Sequence, residues 1–145
     1  MKKNTLRIRK FELKDQKEVI EIWRKVGVIR ITNDPENDIE RKLKHSPDFF
    51  LVAEVDGAIA GSIMIGYEGH RGWIYYLGVS PELQRSKIGT ELMKKAEEIL
   101  REHKCPKINL MVRRSNQSVI DFYKKIGFVE DEVICIGKRL TYEKY

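Results

Sequence analysis

No run in this chain is apolar over the roughly 20 residues that a membrane-spanning helix requires, so no span and no membrane partner is expected. The opening Met1-Lys2-Lys3-Asn4-Thr5 is not followed by the apolar stretch of about 7–15 residues that a secretory signal carries, and the cytoplasm is the expected location. Cysteine is scarce. Only Cys105 and Cys135 occur, far apart and without metal-ligand spacing to the three histidines. No structural zinc or other metal is expected, and both thiols read as reduced side chains in or near the core. Repeats, low-complexity tracts and Gly/Ser linkers are also missing, so the 145 residues suit one domain, 1–145, long enough to bury a core. Charge is plentiful but nowhere in a block. The 28 Lys and Arg and 22 Asp and Glu, net +6, are interspersed. That spread argues against nucleic acid as the partner and leaves only small basic pairs, Arg113-Arg114, Lys124-Lys125 and Lys138-Arg139.

Periodicity is what the chain does have. Leu6-Arg7-Ile8-Arg9 alternates as a half-buried strand, and Val19, Ile22, Trp23 and Val26 then recur at helical spacing up to Gly27. A second helix is predicted to begin after Asn33-Asp34-Pro35, with Pro35 near its first turn, and its polar run Glu36 to His45 carries only Ile39 and Leu43 on an apolar stripe. Phe49 to Val55 and Ala58 to Gly66 flank Asp56-Gly57, a strong hairpin signal, and Trp73 to Val79 reads as the next strand. A long helix follows from about Ile88 to His103, with Leu92, Ala96, Ile99 and Leu100 on one face. Lys107 to Val112 is predicted as strand, Ser115 to Ile126 as helix, and Phe128 with Glu132 to Leu140 as a closing strand. The order β-α-α-β-β-β-α-β-α-β implies an α/β fold with a mixed sheet.

The informative join is Leu77-Gly78-Val79-Ser80-Pro81-Glu82-Leu83-Gln84-Arg85-Ser86-Lys87-Ile88-Gly89-Thr90, where a strand stops and a helix starts. The first turn of a helix has unpaired N–H groups and a positive dipole end, which suits phosphate. Arg85 and Lys87 add charge, Ser86 and Thr90 add hydroxyls, and Gly89 permits close approach. No Walker loop is present. A plain strand-to-helix turn with solvated basic residues accounts for the same letters.

Gln84-Arg85-Ser86-Lys87-Ile88-Gly89 resembles the acetyl-CoA motif of the GNAT N-acetyltransferase superfamily, (Gln/Arg)-x-x-Gly-x-(Gly/Ala). The resemblance extends upstream through Leu77-Gly78-Val79-Ser80-Pro81 and downstream through Asn116 to Phe128, and covers the chain from about Phe49 onward. The stretches Asn33 to Lys42 and Gly69-His70-Arg71-Gly72 are similar to the YpeA-type bacterial branch. Lys87 stands where the family usually has its first glycine. If that position needs φ > 0, lysine strains it; if it only donates an N–H, lysine serves, and the intact remainder of the motif favours that second reading.

The resemblance implies a GNAT-like mixed, mostly antiparallel sheet flanked by helices, with strands 4 and 5 splayed around the thioester arm of acetyl-CoA. It implies that the backbone of Leu77, Gly78 and Val79 pairs with pantetheine. The Val79 N–H would stabilise the oxyanion. Gln84, Arg85, Ser86, Lys87, Ile88, Gly89 and Thr90 would hold the pyrophosphate, and Asn116 a pantetheine amide. Tyr123, seven residues on and on the same helix side, would protonate the departing thiolate. Packing beside Phe122 and Phe128 is the plain alternative for Tyr123. A homodimer is one expectation for assembly by the same resemblance.

The general base is harder to place, because an amine of pKa near 10 must lose a proton before it attacks. The two carboxylate positions used within the family hold Trp73 and Met111 here. Glu68 is the chosen catalytic base, with His70, Tyr75, Tyr76 and ordered water as the other candidates. Asp34, Glu36 and Asp38 either line a cationic substrate's entrance or simply cap the second helix. The leading expectation is therefore an enzyme moving acetyl from acetyl-CoA to a primary amine on a small molecule or protein. The alternatives are a catalytically inactive acyl-CoA-binding module and, from net charge alone, a nucleic-acid-binding domain.

Overall fold

A computed structural model describes residues 5–84 and 86–142. Its sheet runs in the order β1 (Leu6–Lys10), β2 (Phe50–Val55), β3 (Ala58–Tyr67), β4 (Gly72–Val79) and β5 (Ile108–Leu110). The first three pairings are antiparallel and β4–β5 is parallel, so the sheet is mixed and mostly antiparallel. Asp56 and Gly57 take φ of 51° and 83°, the two positive values that a tight hairpin turn needs, and set Val55 opposite Ala58.

Helix α1 (Gln16–Val26) stops at Gly27, whose φ of 75° lets its N–H and that of Val28 fold back onto the carbonyls of Arg24 and Trp23. Helix α2 (Pro35–His45) starts at Asp34, whose carboxylate accepts the N–H groups of Glu36 at 3.0 Å and Asn37 at 3.2 Å. Asp34 is thus a helix cap. Helices α3 (Ile88–Glu102) and α4 (Gln117–Lys125) complete the set. None of the described helices is long and apolar enough to cross a membrane.

Strand alternation sorts the core into two layers. Leu51, Ala53, Ile63 and Ile65 pack against Leu92, Met93, Ala96 and Leu100 of α3. On the other face Phe50, Val52 and Met64 pack against Val19, Ile20 and Trp23 of α1 and Ile39 of α2. The closing strand expected over Glu132 to Leu140 does not form. Those residues are exposed and carry no ladder, because alternation creates a strand face but only a neighbouring edge creates a strand. The fifth strand is likewise shorter than Lys107 to Val112, since its one neighbour pairs with it for only three residues.

Candidate active site

β5 leaves β4 early. The parallel pairing covers Gly72–Ile108, Trp73–Asn109 and Ile74–Leu110, and residues 75–79 of β4 have no partner on that side. The two strands therefore splay as expected, and a gap opens beside Leu77, Gly78 and Val79. Leu77 and Val79 turn their side chains into the α3 layer, whereas Gly78 lies against α1. Ser80 donates its N–H to the carbonyl of Ala60 at 2.7 Å, which makes Ser80–Ala60 a hydrogen-bonded pair. The next pair in register, Val79–Gly61, is then a non-hydrogen-bonded one, so the Val79 N–H and C=O face the gap. The carbonyl accepts from Gln84 Nε2 at 3.2 Å. The N–H is left pointing outward.

A bulge makes this possible. The β3–β4 register shifts between Ser62 and Met64, and Tyr76 adopts φ of 52°. Ser62 Oγ donates to the Tyr76 carbonyl at 2.9 Å and accepts from Trp23 Nε1 at 2.8 Å. The Trp23 and Tyr76 rings stack with centroids 3.9 Å apart. Buried Trp23 and Ser62 thus hold the bend from the α1 side.

At the join, Pro81–Leu83 forms a 3-10 turn before α3. Lys87 occupies the N-cap with φ of 65°. That is the left-handed region where glycine is at ease, so this position does need φ > 0 and the reading of Lys87 as a mere N–H donor is corrected. Ser86 directs its hydroxyl to the Leu83 carbonyl and Gln84 directs its amide to Val79, so both side chains hold the turn. Ile88 is buried in the α3 layer and can offer only its backbone. A Cβ on Gly89 would meet the Phe122 ring at 3.4 Å and Val79 at 3.7 Å, so this glycine serves close α3–α4 packing. Thr90 lines a cleft of about 230 Å³ with Met93, Lys94, Glu97 and Ile126. Arg85, also expected at this site, lies outside the described residues.

Asn116 sits at the N-cap of α4 with no side-chain bond to the helix backbone, and its Oδ1 accepts from the Ser118 hydroxyl at 3.4 Å. The amide nitrogen is exposed and available. Tyr123 packs edge-on to Phe122 and Phe128 at centroid distances of 5.2 and 5.4 Å and joins the cluster that holds Val79 and Ile88. Burial pushes its phenol up to about 12. Its hydroxyl has no hydrogen-bond partner among the described residues, yet it is not sealed off, since no buried side-chain oxygen there lacks a partner. A protonated donor therefore stands unengaged in the layer that walls the gap.

Glu68 has another task. Its Oε1 accepts the N–H groups of His70 at 2.7 Å and Arg71 at 2.6 Å, which hold the carboxyl below its usual range. It sits in the β3–β4 turn, and the stretch of β4 from Gly72 to Leu77 separates it from the gap by roughly 16 Å at strand rise. That carboxylate is engaged by its own turn, and the structure does not bring it together with Val79 and Tyr123. The sequence reading missed the pairing of Asp38 with Tyr76. Tyr76 Oη donates to Asp38 Oδ2 at 2.5 Å, joining the first turn of α2 to the bulge of β4. The acidic first turn of α2 was visible; its partner depends on the bulge, which puts Tyr76 out of alternation. Among the described residues, no three His, Cys, Asp or Glu side chains gather as metal ligands would.

The model of the acetyltransferase (GNAT) family matches residues 15–128. Over 136 residues the chain is 51% identical to an acetyltransferase of Sodalis glossinidius, covering 93% of this chain and 96% of that one. Among solved structures, the Ard1 protein of Thermoplasma volcanium superimposes with a TM-score of 0.78 at 28% identity, over 86% of this chain and 82% of its own. The PaiA N-acetyltransferase of Thermoplasma acidophilum, solved in complex with coenzyme A, gives a TM-score of 0.70 at 25% identity over 90% and 93%. With a sheet parted at β4 and β5 and a relative identical at half its positions, this chain belongs to the GNAT acetyltransferase family.

Proposed function

We propose that the chain is a single-domain cytoplasmic N-acetyltransferase that moves the acetyl group of acetyl-CoA to a primary amine on a small molecule or a protein. The observation that carries this reading is the free N–H of Val79, aimed into the strand gap from the same packed cluster as the unengaged hydroxyl of Tyr123. In the reaction the amine lone pair attacks the thioester carbonyl, the carbonyl oxygen gains charge, and the C–S bond then breaks to release a thiolate. The Val79 N–H meets the first charge. The Tyr123 hydroxyl meets the second. Protonated across the neutral range as any phenol is, it donates a hydrogen bond to the sulfur as charge develops there and passes its proton only as the thiolate departs. Asp38, reached through Tyr76, is the carboxylate assigned to relieve the amine of its proton.

Cosubstrate binding follows from the same backbone. Leu77 and Val79 pair with pantetheine, Asn116 with one of its amides, and the first-turn N–H groups of α3 with the pyrophosphate. Exposed Arg113-Arg114 precede α4 and exposed Lys124-Lys125 end it, and both pairs supply positive charge. An inactive acyl-CoA-binding module remains the second reading, favoured by Trp73 and Met111 at the two positions where the family resemblance implies a carboxylate. Two measurements test these readings. Acetyl-CoA at a hundredfold excess over its Kd should add about 2.7 kcal/mol of stability, and labelled acetyl-CoA should transfer its label to amines of a cell lysate. A melt unmoved by acetyl-CoA ends both readings. A shifted melt without label transfer leaves only the binding module.

A further inference from the structure

The start of β4 carries aromatic side chains that the core does not use. Ile74 belongs to the α3 layer, so its neighbours Trp73 and Tyr75 stand on the opposite face, the one shared with α1 and α2. In a regular strand the next residue on that face would be Leu77. The bulge brings Tyr76 onto it instead, where the ring stacks on Trp23 and the hydroxyl bonds Asp38, while Leu77 joins the α3 layer. Trp73, Tyr75 and Tyr76 therefore make one aromatic row, running from the β3–β4 turn toward the strand gap. Neither Trp73 nor Tyr75 belongs to either hydrophobic layer. Trp73 is half-buried and Tyr75 is 45% exposed, with ring centroids 6.5 Å apart and planes within 20° of each other.

Charge indicates what lies on this row. At its outer end the two turn N–H groups and the Trp73 indole hold the Glu68 carboxyl ionised. The Tyr75 phenol is pushed up by burial and then by Cys135 and Glu68, so the groups acting on its charge are acids. At the inner end stands Asp38 on Tyr76. The neighbouring cations are already engaged: Arg41 pairs with Asp38, Lys42 bonds the Ile65 carbonyl and Arg71 the His70 carbonyl. Exposed aromatic faces beside a fixed carboxylate attract an ammonium or guanidinium group. We propose that the acceptor is an extended dication, with its reacting amine beside Asp38 and Tyr76 and a second cationic group about 10 Å away, the strand rise from Tyr76 to Trp73, resting on Trp73 and Tyr75 against Glu68. The assignment rests on the acetyl transfer proposed above and narrows its amine. A neutral tail would desolvate Glu68 without pairing it, and an acidic tail would be repelled.

Steady-state kinetics on the full chain with acetyl-CoA and three amines test the assignment. Octane-1,8-diamine can span the row, 8-aminooctan-1-ol has the same length without the second charge, and propane-1,3-diamine has the charge without the reach. Octane-1,8-diamine should exceed each of the others by at least about tenfold in kcat/KM, and mainly through KM, because the distal charge binds alike in ground and transition states. Glu68→Gln keeps an acceptor for the two turn N–H groups. It should shrink the preference over the amino alcohol to within about threefold, and Tyr75→Leu should do the same. Damage to folding alone would lower all three amines together and leave the ratios unchanged. Wild-type ratios near one, or ratios that survive both substitutions, would overturn the dication site. Label that reaches lysate amines but none of these three would overturn it and spare the transfer reaction. Label that reaches no amine at all would end that reaction and the assignment with it.

Discussion

Removing only the hydroxyl of Tyr123 keeps the ring between Phe122 and Phe128, so Tyr123→Phe should leave the melt and acetyl-CoA affinity close to wild type. Turnover should fall by about 10²-fold, with kcat and kcat/KM dropping together, as expected of a bond made only when the thiolate leaves. Wild-type turnover would reduce Tyr123 to core packing. At the other end of the reaction, Asp38→Asn keeps an acceptor for the Tyr76 hydroxyl but removes the base. It should cost at least about tenfold in kcat at neutral pH, whereas Glu68→Gln should cost little, and steady-state rates that reverse this order would return the role to Glu68. The roles proposed for Asn116 and Tyr123 rest on the family resemblance, and only their shared side of α4 was legible from helix period. The tasks of Glu68 and Asp38 were not legible, since what decides a carboxylate's role is which donors face it: two turn N–H groups for one, a phenol for the other.

The start of α3 carries a lysine in a conformation that costs an L-residue about 1–2 kcal/mol. Part of that cost is offset because glycine loses more chain entropy on folding, so Lys87→Gly should stabilise the protein by about 0.5–1 kcal/mol in urea denaturation. Acetyl-CoA affinity, titrated calorimetrically, should stay within a few-fold of wild type because the helix-end N–H groups remain. A destabilised glycine variant would mean that Lys87 is not held at positive φ in solution. The element boundaries were readable wherever a residue dictates its own geometry: Gly27 ends α1, Asp34 starts α2, and Asp56-Gly57 turns the hairpin. They were not readable where geometry depends on a neighbour. Val133 to Ile136 has the letters of a strand but joins no ladder, and β5 ends after Leu110 because β4 has turned away.

Across the whole molecule, the two hydrophobic layers lie on opposite faces of the sheet. Ile39 belongs to one layer and Ile63 to the other, both fully buried. Ile39→Val and Ile63→Val should each cost about 0.5–1.5 kcal/mol. In the double variant the losses should add to within about 0.5 kcal/mol, because the sites share no cavity; a larger coupling in denaturant titrations would show that the strands transmit strain between layers. The α/β order and both apolar faces could be read from periodicity, since each strand displays its two layers in alternate letters. The strand gap could not, because it is a relation between strands distant in sequence. The division into layers also bears on inheritance. The helix start, Tyr123 and the neighbouring face of the sheet lie with α3 and α4, while Asp38, Tyr76 and Trp23 lie with α1 and α2. On the proposed function, a lineage can therefore rework α1 and α2 for a new amine, one buried residue at a time, while passing on intact the half proposed to hold acetyl-CoA.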